Sequence, residues 1–223
     1  MKPKLHIADL FVPVIIALPF FYLGYIYNSL PQTVPTHFGI KGQADAFSNK
    51  STLWLTLCIL GGLSIFLFLL MRFLPKIDPK KTAQYSAGVF NKIAVAAVLL
   101  LCAINFLIVD AAQNGSFRFF RVFPVIMGVF FAFMGNIMHS IKPNYFAGIR
   151  TPWTLENEET WRRTHQFGGK LWFVGGLLTA AVCLVVPEAA TPWCMMGGIF
   201  ILAIVPIVYS FIIFKKIKKN ETN

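Results

Sequence analysis

The side chains in this sequence that could do chemistry are few, and their spacing favours contact over catalysis. His37 and Asp45 share one polar stretch and could bind a metal or titrate as a pair. The competing reading is a loop histidine hydrogen-bonded to backbone, with a turn-forming aspartate further along. His165 follows Trp161 by one helical turn, and we read a ring stacked on an indole at the membrane boundary rather than a general base. No H-E-x-x-H, P-loop, nucleophile elbow or paired-cysteine metal site occurs, so neither an enzyme nor a bound metal or cofactor is expected. Cys58, Cys102, Cys183 and Cys194 all fall in apolar stretches, where free cysteine is ordinarily a small hydrophobe. A Cys183–Cys194 disulfide is conceivable, although connectivity cannot be read from a sequence.

Two polar groups near the ends of apolar stretches have structural work to do. Asn136 lies where an interhelical hydrogen bond is its expected role, and Gly135 beside it would let helices approach closely. Arg150 sits in the run Gly148-Ile149-Arg150-Thr151-Pro152-Trp153-Thr154-Leu155, bounded by glycine and proline. Its guanidinium could pair with Glu156, Glu158 or Glu159, or stack on Trp153. As structure it would knit its loop to the rest of the protein. As function it would present a recognition surface to a cytoplasmic partner or an anionic headgroup, and we expect the structural role first.

The elements that must hold these groups are membrane helices. The chain is 57% hydrophobic and only 13% charged, against about a quarter charged in a soluble domain. A bilayer core of about 30 Å needs roughly 20 apolar residues per helix. Six stretches qualify: Leu10–Tyr27, Ser51–Met71, Ile93–Val109, Val122–Ser140, Leu171–Pro187 and Thr191–Phe214. The third and fifth are short and can borrow Gly88–Asn91 and Phe167–Gly169. Interior Pro13, Pro19, Pro124 and Pro206 do not defeat these spans, because neighbours in a bundle can re-satisfy the freed carbonyls. Asp9 and Asp110 fall at span ends, and no Asp, Glu, Lys, Arg or His sits at a span centre, which weighs against ion-coupled transport.

The net charge of +11 raises nucleic-acid binding, and its distribution argues against that. Lys2, Lys4, Arg72, Lys76, Lys80, Lys81, Lys92, Lys142, Arg150, Arg162, Arg163, Lys170 and the tail lysines 215, 216, 218 and 219 fall on one side of a six-span topology. Only Lys41, Lys50, Arg118 and Arg121 fall on the other, so the 20 basic residues divide sixteen to four. By the positive-inside rule both termini are cytoplasmic, and the basic charge faces lipid headgroups rather than nucleic acid. The first span follows a basic start, but no small-x-small cleavage site follows it, so we read a retained helix and not a secretory signal.

Two connections are more than short turns. In the outer loop, residues 28–50, Pro31 and Pro35 stiffen the chain, and Gly39 and Gly42 permit tight turns around His37. In the inner loop, residues 141–170, Pro152 pushes Thr151 away from helix, and Thr154 can cap a helix starting at Leu155. Glu156 would then lie in its first turn, and Glu158–Arg162 and Glu159–Arg163 would pair at i,i+4. This helix is expected to run through Gly168–Gly169 into the fifth span.

On Gly135-Asn136, Asn144, the Gly148–Leu155 run, Glu159, Trp161 and Lys170, the sequence resembles the SdpI family of bacterial membrane immunity proteins. The outer element, Leu30-Pro31, Pro35, His37, Gly42, Asp45 and Lys50, resembles the N-terminal module of unknown function often fused to it. The resemblance implies protection against a secreted killing peptide that damages the membrane. It further implies retention of a cytoplasmic transcriptional repressor at the membrane when that peptide is present.

The expectation is therefore an all-α, polytopic protein of the cell membrane with six spans and both ends inside. Residues 1–77 would form a two-helix module, and residues 78–223 a four-helix module. His37, Asp45 and Lys50 would meet the peptide. Asn136, Asn144, Arg150, Thr151, Pro152, Trp153, Thr154, Glu159 and Trp161 would form the inner-loop motif. The bilayer is the remaining partner, with no direct nucleic-acid contact. The rivals are a small transporter or lipid-handling protein, with Asn136 and the proline-broken helices lining a path, and a membrane enzyme using His37 or His165.

Overall fold

The structure, a computed structural model, describes residues 7–39, 44–79, 87–114 and 117–221. Lys2, Lys4, Lys41, Lys80 and Lys81 of the charge pattern and Gly42 of the outer motif lie outside the described residues, as do the side chains of Asp9 and Arg118.

The helices are α1 (Ile7–Ile26), α2 (Thr52–Ile77), α3 (Ala87–Asn114), α4 (Phe117–Met138), the short α5 (Pro152–Glu156), α6 (Glu158–Val185) and α7 (Thr191–Glu221). All but α5 are long and apolar enough to cross a membrane, and the chain is a multi-pass membrane protein. Leu10, Phe21, Ile59, Phe66, Val185 and Phe200 stand exposed on the bundle surface. That is the arrangement of a protein whose solvent there is hydrocarbon, and it would be an aggregation hazard in water. Prolines 13, 19, 75, 124 and 206 all lie within helices. The two short spans do take in their flanks: α3 begins at Ala87, and α6 starts at Glu158 and passes through Gly168 and Gly169.

Between α1 and α2 lies one feature that periodicity does not announce, an antiparallel hairpin of β1 (Thr33–Phe38) and β2 (Ala44–Asn49). Val34 drops from β1 into an apolar cluster with Leu23, Leu30, Leu53, Leu57 and Val109. A second cluster, Leu74, Phe90, Ile93, Ile137, Met138, Ile141, Ala147 and Trp161, closes the other end of the bundle. The 26 residues of α2 set the two ends about 39 Å apart at 1.5 Å per residue.

Helices α4 and α6 run antiparallel in backbone contact. A Cβ on Gly135 would lie 2.5 Å from the Gly169 carbonyl oxygen, and one on Gly128 2.5 Å from that of Gly176. Each of those partners is blocked in turn by the opposite carbonyl, at 2.7 Å for Gly169 and 2.5 Å for Gly176. This is the small-residue packing by which membrane helices associate where lipid offers no hydrophobic drive.

Candidate functional sites at the two ends of the bundle

At the hairpin end, Pro35 pairs with Phe47 and His37 with Ala46, with a register shift on either side of His37. Across the hairpin His37 nevertheless meets Asp45, whose Oδ1 lies 2.5 Å from the imidazole Nδ1. The two side chains are 68% and 54% exposed, so the structure presents a cross-strand pair rather than a histidine tied to backbone. Lys50 is drawn inward instead. Its ammonium donates to the carbonyls of Tyr27 (2.9 Å) and Leu30 (3.3 Å) and sits over the Tyr27 ring. It clamps the base of the loop, which makes it a support for the hairpin rather than part of its exposed face.

The loop end is built from interlocking ties. Asp78, at the end of α2, is buried and accepts the backbone N–H of Tyr145 at 2.9 Å. Asn144, fully buried, accepts from the N–H groups of Phe146 and Ala147 and donates to the carbonyls of Lys142 and Ala147. All its hydrogen-bonding capacity goes into folding the loop on itself. Trp161 donates its indole N–H to the Ile141 carbonyl at 2.8 Å.

His165 does stack on Trp161, with ring centroids 4.1 Å apart and planes 18° from parallel. It is also a pin. Its Nε2 accepts the Ile149 N–H at 3.0 Å, and its Nδ1 bonds the Trp161 carbonyl at 2.8 Å. Both bonds together require the neutral imidazole with its proton on Nδ1. Gly148 makes room: its φ is +108°, and a Cβ there would strike His165 Nε2.

The capping arrangement differs from that expected. Thr151, not Thr154, is the N-cap, with Pro152 at the start of α5, and Thr151 and Thr154 bond reciprocally in a capping box. Proline belongs at the first helical position because it has no N–H to lose and its φ is already helical. Glu156 accordingly ends α5 rather than opening a helix. Asn157 caps α6 by accepting the Thr160 N–H at 2.8 Å. Arg162 pairs with Glu159 rather than Glu158, and Arg163 pairs with the same carboxylate. The two guanidiniums share one half-buried carboxylate, with Glu158 beside them in the same first turn of α6.

Arg150 departs furthest from expectation. It is exposed and donates to the Tyr145 carbonyl, with no carboxylate as partner among the described residues. The loop is held to the bundle by Trp153, whose indole N–H donates to Ser210 Oγ on α7 at 2.5 Å and whose ring packs against Phe211. Thr151 reaches the same Ser210 hydroxyl. Asn136 makes no interhelical bond among the described residues. It is exposed at the mouth of a groove between α4 and α6, because Gly135 next to it takes the contact face.

Sequence reasoning passed over Asp78, Ser210, Asn157 and Arg121. A lone acid among Arg72, Lys76, Lys80 and Lys81 was the available signal for Asp78. A lone hydroxyl between apolar turns of α7 was that for Ser210. Arg121 donates to the carbonyls of Cys183, Leu184 and Val186, satisfying the C-terminus of α6. All four cysteines are free thiols, with Cys183 Sγ beside the Thr191 carbonyl. Among the described residues no group of three or more His, Cys, Asp or Glu could hold a metal.

Residues 140–210 match the SdpI/YfhL protein family, and residues 14–61 match a domain of unknown function, DUF1648. The immunity protein SdpI of Bacillus subtilis (strain 168) is 22% identical over 169 residues, covering 76% of this chain and 78% of that protein. No solved structure matches. The latched loop, the start of α6 and its contact with α7 all lie within the first matched region. Residues 140–210 are thus similar to the SdpI/YfhL protein family, and the chain joins that region to a preceding one similar to a domain of unknown function.

Proposed function

We propose that this chain is a non-enzymatic membrane immunity protein, which protects a cell from a secreted, membrane-active killing peptide. Similarity to an immunity protein over three quarters of the chain supports the general role. The observation that carries the specific reading is the His37–Asp45 pair, exposed on a hairpin clamped at its base by Lys50. A pre-ordered polar surface loses little entropy on binding, as a site for an extracellular peptide should.

In this reading the basic end of the bundle faces the cytoplasm, by the charge asymmetry. Residues 1–77 form the peptide-facing module and residues 78–223 the cytoplasmic-facing one. Asn144, Thr151, Pro152, Thr154 and Trp161 shape the inner loop, and Trp153 latches it to α7. Exposed Arg150, and the Glu159 carboxylate held by Arg162 and Arg163, would meet a cytoplasmic repressor.

The test is survival of a peptide-sensitive host expressing the chain. His37→Ala and Asp45→Ala, at matched membrane abundance, are expected to lower resistance. Undiminished resistance in the double substitution removes the hairpin from the mechanism.

A further inference from the structure

The groove between α4 and α6 at the loop end has a composition that the immunity reading does not use. Its volume is about 570 Å³, and Asn136, His139, Gln166, Lys170, Phe173 and Val174 line it. The four polar side chains are exposed and have no partner among the described residues.

Its depth is set by the sequence on either side. From Lys170 to Val185, α6 carries no further charged residue, and from Val122 to His139 neither does α4. Lys170 and His139 are therefore the last ionisable groups before hydrocarbon on two adjacent helices, which is the level of the lipid headgroups. Phe173 and Val174, 44% and 54% exposed, continue the groove one turn deeper. The charge is of one sign. No carboxylate lines the groove, and Glu159, on the same exposed stripe of α6 as Arg163, Gln166 and Lys170, is already bound by Arg162 and Arg163.

We propose that this groove is a binding site for one anionic phospholipid. The phosphodiester lies among Lys170, His139, Asn136 and Gln166, and an acyl chain runs over Phe173 and Val174. The close approach at Gly135–Gly169 forms its floor. A zwitterionic lipid gains less there, since its cationic headgroup would stand among basic residues.

The test uses the purified full chain in detergent and follows the unfolding midpoint during titration with dioleoyl-phosphatidylglycerol, dioleoyl-phosphatidylcholine, inorganic phosphate or poly-glutamate. Phosphatidylglycerol should raise the midpoint saturably and the other three should not. Lys170→Gln should weaken the apparent affinity for phosphatidylglycerol roughly fivefold, the factor equivalent to about 1 kcal/mol per basic side chain at an anionic lipid surface. Lys216→Gln, on the exposed tail of α7, should leave it unchanged. Equal stabilisation by phosphate or by poly-glutamate would show an anion or acidic-protein surface and overturn the proposal. So would an equal response to phosphatidylcholine, or the same loss in Lys216→Gln as in Lys170→Gln.

Discussion

Gly148→Ala should be among the most damaging small substitutions in this protein, and its cost can be assembled from the geometry. At φ +108° the backbone lies where L residues are strained, which costs about 1–3 kcal/mol. The new methyl would also strike His165 Nε2, the acceptor of the Ile149 N–H. Displacing that ring leaves a donor unsatisfied, worth about 1–3 kcal/mol. Together these give roughly 2–6 kcal/mol, a large part of a typical native stability of about 5–15 kcal/mol. At roughly 2–4 °C per kcal/mol for a chain of this size, the melting midpoint in detergent should fall by about 5–25 °C. The same change in a His165→Ala background separates the two contributions, since the clash and the acceptor are then already gone. Only the backbone strain should remain, and the cycle should show coupling of about 1–3 kcal/mol. A Gly148→Ala protein that melts within about 2 °C of wild type would refute the argument. An unchanged cost without His165 would refute its second half.

Trp153→Ala should lower abundance and melting temperature, because it removes the tie to Ser210 and the packing on Phe211. Arg150→Ala should leave both near wild type, since an exposed guanidinium bonded to one carbonyl adds little. A destabilised Arg150→Ala protein would return this residue to a structural role. The orientation is checked by reporter fusions active only outside the cytoplasm, which should work near Gly42 or Asn114 and be silent within 156–160 or at the C-terminus. Activity at the C-terminus would overturn the assignment.

The spans were legible because a run of apolar residues needs no knowledge of its neighbours, and so was the Trp161–His165 stack, which helical spacing alone dictates. The close approach at Gly135 was legible too, but not its partner, because one helix does not say which face another will take. The same gap misplaced Asn136, whose neighbour Gly135 occupies the interface that Asn136 was expected to share. The hairpin was hidden by Pro35, which reads as a strand breaker yet is tolerated in a two-stranded ribbon with an irregular register. Arg150 was misjudged because its carboxylates lie nearby in sequence, whereas Tyr145's carbonyl, shaped by Asn144, was not visible as a competitor.

The glycine contacts between α4 and α6 bear on how any movement could cross this bundle. Gly128 and Gly135 are two helical turns apart and face Gly176 and Gly169, also two turns apart, in antiparallel order. Sliding α4 along α6 by a single turn would set side chains against carbonyl oxygens at sites that do not admit even a methyl group. A piston stroke between these two helices is therefore sterically barred, and the pair must travel as one beam. Displacement of the hairpin can reach the opposite face along α2, whose end binds the loop through Asp78, or by tilting that beam against α3 and α7. The Trp153–Ser210 bond, joining the loop to α7, is the joint across which such a tilt would first be felt.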